Sequence, residues 1–344
     1  MMRITHINFA KGFRGGERQT LLLIQELALR GYHQKILTRQ NSTLAKRLEG
    51  VENLEIIEIP KPYIFSLSTI KEASLLHAHE TKGAQFAFWA NLFYKIPYIV
   101  TRRVDNLIKN NFFNRWIYEQ SYRTVALSRA IEKELFKISD QINIDIIPSA
   151  YSEFTINSIE VDVIKERFED KFLIANIGEL DNGHKGQYYL IEAMKKLQQE
   201  YPNIHLILLG KGKDKQAYME QSKELESITF EGFVDNVGDY LQAVDLFVFP
   251  SLNEGLGSIL FDVMHSNIAI IASNVGGIPD IIEDHHNGIL VPSKDSEAIY
   301  EKIKKLYEDP KLREQLSNQA QQSVENFSPQ KMSSQYENIY KGVI

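Results

Sequence analysis

The stretch FVFPSLNEGLGSILFDVM, Phe247–Met264, reads as a strand, a glycine loop and a helix. An apolar run stops at Pro250, a polar loop holding one acid and two glycines follows, and a helical pattern resumes with a second acid. Parallel strands covered on both faces appear in sequence as near-continuous apolar runs. DLFVFP has that form, and so does IAIIAS beyond the helical segment, so the stretch is one repeat of a parallel α/β sheet.

The same alternation continues on either side. Upstream lie strand candidates at Phe172–Gly178, His205–Leu209 and Ile228–Glu231, with an amphipathic helix at Gln187–Leu197; downstream lie Ile268–Ser273 and Gly288–Val291. An earlier array begins with Arg3–Ala10, the loop KGFRGG, a helix with Leu21, Leu22, Ile24, Leu27 and Ala28 on one face, a closing Gly31, and a strand at Gln34–Thr38. Leu75–Ala78, Tyr98–Thr101, Thr124–Leu127 and Ile144–Ile147 complete it. Between the arrays, from about Ser149 to Asp170, the pattern weakens, and a linker is expected there. The expected organisation is two doubly wound parallel-sheet (Rossmann-like) domains facing a cleft, spanning residues 1–152 and 153–327. A helix over 328–344, started by Ser328-Pro329, is expected to pack back on the first domain.

A chain of 344 residues exceeds the usual single core, which agrees with two domains. It has no cysteine, so disulfides and thiolate metal sites are excluded. The start, MMRITHINFAKGFRGGERQ, resembles neither a signal peptide nor a spanning helix, and a cytoplasmic protein is expected. Residues 1–152 carry 21 Lys and Arg against 14 Asp and Glu, whereas the remainder carries 18 against 31. Such asymmetry reads either as two solvated surfaces or as a basic half facing an anionic partner, a phosphate-bearing substrate or the inner face of a membrane. KNNFFNRW, from Lys109 to Trp116, mixes cations with aromatics and suits either a membrane surface or a packed amphipathic helix.

Ligands of doubly wound sheets bind beyond the carboxyl ends of the strands, where glycine loops expose N–H groups. Lys11–Glu17, Gly183–Gly186 and Asn253–Gly257 are such loops. In the last, Glu254 is an awkward neighbour for phosphate but a good acceptor for sugar hydroxyls, or else a helix cap. Asp262 lies two helical turns on, so it either shares that cleft or is merely exposed.

Taken together, these pieces resemble a retaining GT-B glycosyltransferase of family 4, the glycosyl transferases group 1, over nearly the full length. Its PS-x-x-EG-x-G loop and second acid are matched by Pro250, Ser251, Glu254, Gly255, Gly257 and Asp262. IIASNVGGIPDIIEDHHNGILVP, NIGELDNGHKG, LLGKG, GFVDNV, HINFAKGFRGGERQ and HAH at His77–His79 are similar to its other segments in order and spacing. The resemblance implies that Glu254 holds donor-sugar hydroxyls, that Gly255, Leu256 and Gly257 serve the donor through their backbone, and that Asp262 binds the nucleotide ribose where the family has glutamate. It further implies that Lys185 meets the donor phosphates and that His79 approaches the reacting sugar. Glu179 stands where the family has an arginine, so Arg14, Arg18, Arg102 and Arg103 are candidates for the missing cation.

Gly15 and Gly16 keep side chains out of the space for acceptor and diphosphate, or form a simple turn. Glu17 either caps the helix or faces the acceptor, together with Arg14, Arg102 and Arg103. No D-x-D in a suitable loop and no His/Cys ligand spacing is present, so no metal site and no cofactor is expected beyond the nucleotide sugar as co-substrate. The expected partners are a nucleotide sugar, a glycan or lipid-linked acceptor of the bacterial envelope such as a lipopolysaccharide, and an anionic membrane surface at which the chain sits peripherally. Nucleic acid is not expected, and the oligomeric state stays open. The rivals are a nicotinamide-dependent oxidoreductase, whose G-x-G-x-x-G is missing, a sugar-nucleotide epimerase, and a nonenzymatic nucleotide-sugar-binding subunit.

Overall fold

The computed structural model describes residues 3–104, 108–109 and 111–343. The chain divides into two compact units, one of Met1–Ala150 with Phe327–Ile344 and the other of Tyr151–Asn326.

In the first unit, the described strands are β1 (Arg3–Asn8), β2 (His33–Arg39), β3 (Leu54–Ile59), β4 (Leu75–Ala78), β5 (Tyr98–Arg102), β6 (Arg123–Ala126) and β7 (Ile144–Ile146). All pair in parallel in the order β3-β2-β1-β4-β5-β6-β7, so the winding reverses between β1 and β4. The strand centres are fully buried because helices cover them. Leu23 and Leu27 from the helix Gly15–Leu29 and Met332, Tyr336 and Tyr340 from the helix Pro329–Lys341 pack with Ile4, Leu75, Ile99 and Val125. The last helix starts as its sequence predicts: Ser328 accepts from Lys331 N–H, and Pro329 takes the first turn, where its missing donor costs nothing. Arg30 and Tyr32 hold Glu337 of that helix, the former by an ion pair of 2.8 Å.

The second unit contains β8 (Phe172–Ile177), β9 (Ile204–Leu209), β10 (Ile228–Gly232), β11 (Leu246–Phe249), β12 (Ala269–Ser273) and β13 (Ile289–Val291), again all parallel. Their order is β10-β9-β8-β11-β12-β13, and the reversal falls between β8 and β11. Its core joins Ile174, Leu206 and Val248 of the sheet to Leu190, Met194, Ile303 and Leu316 of the helices.

One expectation needs correction, and one strand escapes the sequence pattern. The segment read as a linker holds a helix, Ser158–Arg167, capped by the Asn157 side chain; only Val161 and Ile164 of it are buried, too few to mark a helical face in sequence. Strand β3 was not among the apolar runs, because LEIIEI lies at the sheet edge and Glu55 and Glu58 interrupt it.

Candidate functional site

In each unit the loops after the two strands flanking the reversal hold, or lead into the helices that hold, most of the residues singled out in the sequence; Arg102 and Arg103 stand instead at the end of β5. Where the winding reverses, the helices on either side diverge and leave room for a ligand at the carboxyl ends of the strands.

In the second unit these are Gly178–Gly186 after β8 and Pro250–Ser258 after β11. Backbone contacts bind them into one mesh. Leu252 N–H donates to His184 C=O at 2.8 Å, and Gly277 N–H donates to Glu254 C=O at 3.0 Å. Gly186 and Gly276 have φ of +65° and +55°, and a Cβ on either would stand 2.0 Å from Pro250 O or 1.9 Å from Glu254 O. No other residue type fits such approaches. The main chain of Glu254 is therefore fixed independently of its side chain.

That side chain accepts from Lys185 Nζ, which also lies 5.5 Å above the Phe249 ring. Glu254 does not cap the following helix, Ile259–His265, whose start has no side-chain cap hydrogen bond. Gly255, Leu256 and Gly257 are buried, and Gly257 turns the chain into the helix at φ +84°. Asp262 is not exposed as a bland surface acid would be; it is 6% accessible, and its Oδ1 accepts the Ser152 N–H at 2.5 Å. Glu179 is exposed, and its carbonyl accepts from Gln187, a buried residue at the start of the helix Gln187–Glu200.

In the first unit the reversal is flanked by Phe9–Arg14 after β1 and His79–Glu80 after β4. Glu17 caps the helix Gly15–Leu29 by accepting the Arg14 N–H at 2.9 Å. A Cβ on Gly15 would meet nothing within 4 Å, whereas one on Gly16 would press on Arg103 Cδ at 3.2 Å. Arg14 is exposed, and Arg102 is buried with Nη1 3.4 Å from the Tyr118 hydroxyl. Glu80, not predicted as important, caps the helix Thr81–Tyr94 through Lys82 and Gly83 N–H, both at 2.6 Å, and also takes the Phe9 N–H.

The fold assembles one cluster that sequence spacing did not reveal. His6 of β1 stands in register with His77 of β4, and His79 follows on the same face, bringing one ring nitrogen of each within 4.8 Å of the others. A three-histidine metal candidate thus exists where none was expected. Its donor atoms, however, are all engaged. His6 Nε2 faces Gln34 Oε1 at 3.0 Å; because that oxygen only accepts, His6 carries its proton there. His6 Nδ1 then accepts from His79 Nε2 at 3.0 Å, and His79 Nδ1 is left to accept from Arg103 Nη2 at 3.4 Å. His77 is closed by the hydroxyls of Tyr340 at 2.6 Å and Thr101 at 2.7 Å. Burial holds the imidazoles neutral, with His6 pushed down to about 4 and His77 and His79 well below the ordinary range. The donor set fits a proton-ordered relay that orients Arg103 better than a metal site.

Residues 158–323 match the family model described as glycosyl transferases group 1. Among curated relatives, EpsD of Bacillus subtilis is 29% identical over 191 residues, 54% of this chain and 50% of its own, so the chain spans about half of that relative. The lipopolysaccharide core biosynthesis glycosyltransferase LpsE of Rhizobium meliloti is 24% identical over 97% of this chain and 98% of its own. In fold, the chain is similar to Anabaena HepE, crystallised with UDP-glucose, at a TM-score of 0.87 and 16% identity, covering 99% of this chain and 100% of that one. The two parallel-sheet units are those of the GT-B architecture. Among the described residues, no helix is long and apolar enough to cross a membrane.

Proposed function

On the match of residues 158–323 to the glycosyl transferases group 1, we propose that this chain moves a sugar from a nucleotide-sugar donor to a glycan or glycolipid acceptor, with retention of anomeric configuration. The observation that carries this reading is the Lys185–Glu254 pair, set by a glycine-locked mesh at the reversal of the second sheet. A carboxylate there accepts sugar hydroxyls, and an ammonium beside it meets the negative diphosphate. When donor binds, Lys185 exchanges part of its contact with Glu254 for phosphate oxygen. Charge developing on the leaving diphosphate is stabilised by Lys185 and backbone N–H groups, which is electrostatic stabilisation by preorganised donors.

The acceptor attacks from the face the leaving group departs, and the departing phosphate takes its proton; no step is assigned to a metal. Glu254 positions the sugar and forms no bond to it. Asp262 is assigned to the ribose, a role it shares with holding the Ser152 N–H. His79 is assigned to orienting Arg103, since both its ring nitrogens have protein partners. The likeness to LpsE supports a setting in envelope-glycan synthesis.

One observation favours a second reading. Glu179 puts a carboxylate where the resemblance calls for a cation, which suits a subunit that binds nucleotide sugar without turning it over. Donor turnover with and without a panel of glycan acceptors separates the two. Transfer to any acceptor supports the enzyme, and binding without turnover under all conditions leaves the subunit.

A further inference from the structure

The hydrogen-bond chain through the histidines of the first unit begins behind them, at Gln34 of β2. That side chain is 4% exposed, and its amide is held at both ends. Nε2 donates to the Ile24 carbonyl of the helix Gly15–Leu29 at 2.9 Å. Because a carbonyl only accepts, the amide cannot turn over, and Oε1 is left facing His6. The order then runs one way, from His6 Nε2–H onto Gln34 and from His79 Nε2–H onto His6 Nδ1, until a bare His79 Nδ1 meets Arg103. The links at Gln34 and between the two rings are 2.9 to 3.0 Å, and the last is 3.4 Å. The close contacts therefore set the order and the guanidinium follows it. His77, closed by Tyr340 and Thr101, takes no part.

The kind of acceptor decides what Arg103 can do. Its stem lies across Gly16, and its Nε is buried with no hydrogen-bond partner among the described residues. A carboxylate orienting a guanidinium takes up its fork and cancels its charge. A neutral ring orients it and leaves the charge whole, and His79 is held neutral by burial. A buried cation so placed attracts an anion strongly, because little solvent screens it.

We propose that Gln34 is a positioning residue that fixes this proton order, and that the order presents Arg103 to an oxyanion of the acceptor substrate, a phosphate or a carboxylate. This deepens the acceptor side of the proposed function and rests on that reading. The planar fork of a guanidinium matches two oxygens of either group.

The test is nitrogen NMR of the full chain with isotopically labelled histidine, the two rings being assigned through the signals that His6→Gln and His79→Gln lose. In the wild type at neutral pH, both rings should show a protonated Nε2 and a bare Nδ1. A protonated Nδ1 on either ring overturns the proposal, and that result needs no change at position 34. Gln34→Met keeps the bulk and removes the amide, so His6 Nε2–H loses its acceptor and His79 should divide between its two tautomers. A single, unchanged His79 tautomer in that variant overturns the role of Gln34.

Inorganic phosphate and acetate are then titrated in separate samples, with the His79 ring nitrogens as the local readout. At least one anion should shift them, and the stronger response names the group. Arg103→Gln should abolish the shift, and Gln34→Met should raise the half-saturating concentration about tenfold, the scale of one hydrogen bond to a charged group. No shift with either anion, or a shift that survives Arg103→Gln, overturns the oxyanion assignment. No nucleotide sugar enters these measurements, so their failure leaves the donor reading standing. A chain that shows the proton order and the anion response but transfers no sugar loses the transfer reading instead.

Discussion

Lys185 donates its ammonium to the carboxylate of Glu254 across 69 positions of sequence, and the two side chains are only 25% and 17% exposed. A pair so far out of solvent is well ordered, yet each member stays reachable by a ligand. Truncating one partner leaves the other partly buried and unpaired, which is costly in proportion to its burial.

Glu254→Ala is expected to reduce transfer by about 10²–10³-fold or more, the scale of losing one preorganised polar group at a reacting centre. The fold should survive, because the mesh is tied through the Glu254 carbonyl and not its carboxylate. Initial rates with a competent donor and acceptor, alongside a thermal melt, check both halves. Full activity in this variant would sink the donor assignment.

Gly276→Ala attacks the same site from behind without touching a charged group. The new methyl would stand 1.9 Å from Glu254 O at a positive φ, so either the turn or the Glu254 loop must move. Left-handed strain and overpacking together should cost about 2–5 kcal/mol of stability. Nucleotide-sugar affinity should fall in the same variant, since the loop that yields carries Glu254. Calorimetry for stability and titration for affinity read the two effects; an unchanged melting temperature would show that the close approach is not obligatory.

The division into two parallel sheets was legible because buried strands such as FVF and IAIIAS have almost no polar interruption. The edge strand β3 was not, since Glu55 and Glu58 look toward solvent and break its pattern. Glu254, Lys185 and Asp262 could be chosen from loop position and resemblance alone. Their surroundings could not: Gly186 against Pro250 and Gly276 against Glu254 are approaches between segments distant in sequence. His6 was hidden inside RITHIN, where a lone histidine reads as an ordinary strand residue. The signal that would have found it is topological. In a sheet whose winding reverses between β1 and β4, residues at equal depth in those strands become neighbours, and His6 pairs in register with His77.

The histidine cluster should make stability fall in mild acid. His6 is lowered from 6.5 to about 4 by burial, so between those values the unfolded chain binds a proton that the folded chain refuses. Its contribution is complete above about pH 6.5 and is lost as pH falls toward 4, on the order of 3 kcal/mol for this residue. His77 and His79 are shifted in the same direction and steepen the loss. Urea midpoints measured from neutral pH to pH 4 should drop across this window, and His6→Gln should flatten the slope. A profile without slope in the wild type would contradict neutral buried imidazoles.

Asp262→Glu separates two roles that fall on one carboxylate. The acid is 6% accessible and holds the Ser152 N–H at 2.5 Å, so an added methylene has to be accommodated in a packed setting, at a cost of about 1–3 kcal/mol. The melting temperature without ligand should therefore fall. If Asp262 also meets the ribose, the longer side chain keeps a carboxylate in reach of its hydroxyls, and the rise in melting temperature on adding nucleotide sugar should persist, because that rise depends on affinity and not on the starting stability. Thermal melts of the variant with and without donor read both quantities from one sample. An unchanged ligand-free melting temperature would remove the packing account. A lost ligand-induced rise, with the fold intact, would mean that the ribose assignment has to be given up while the structural tie to Ser152 stands.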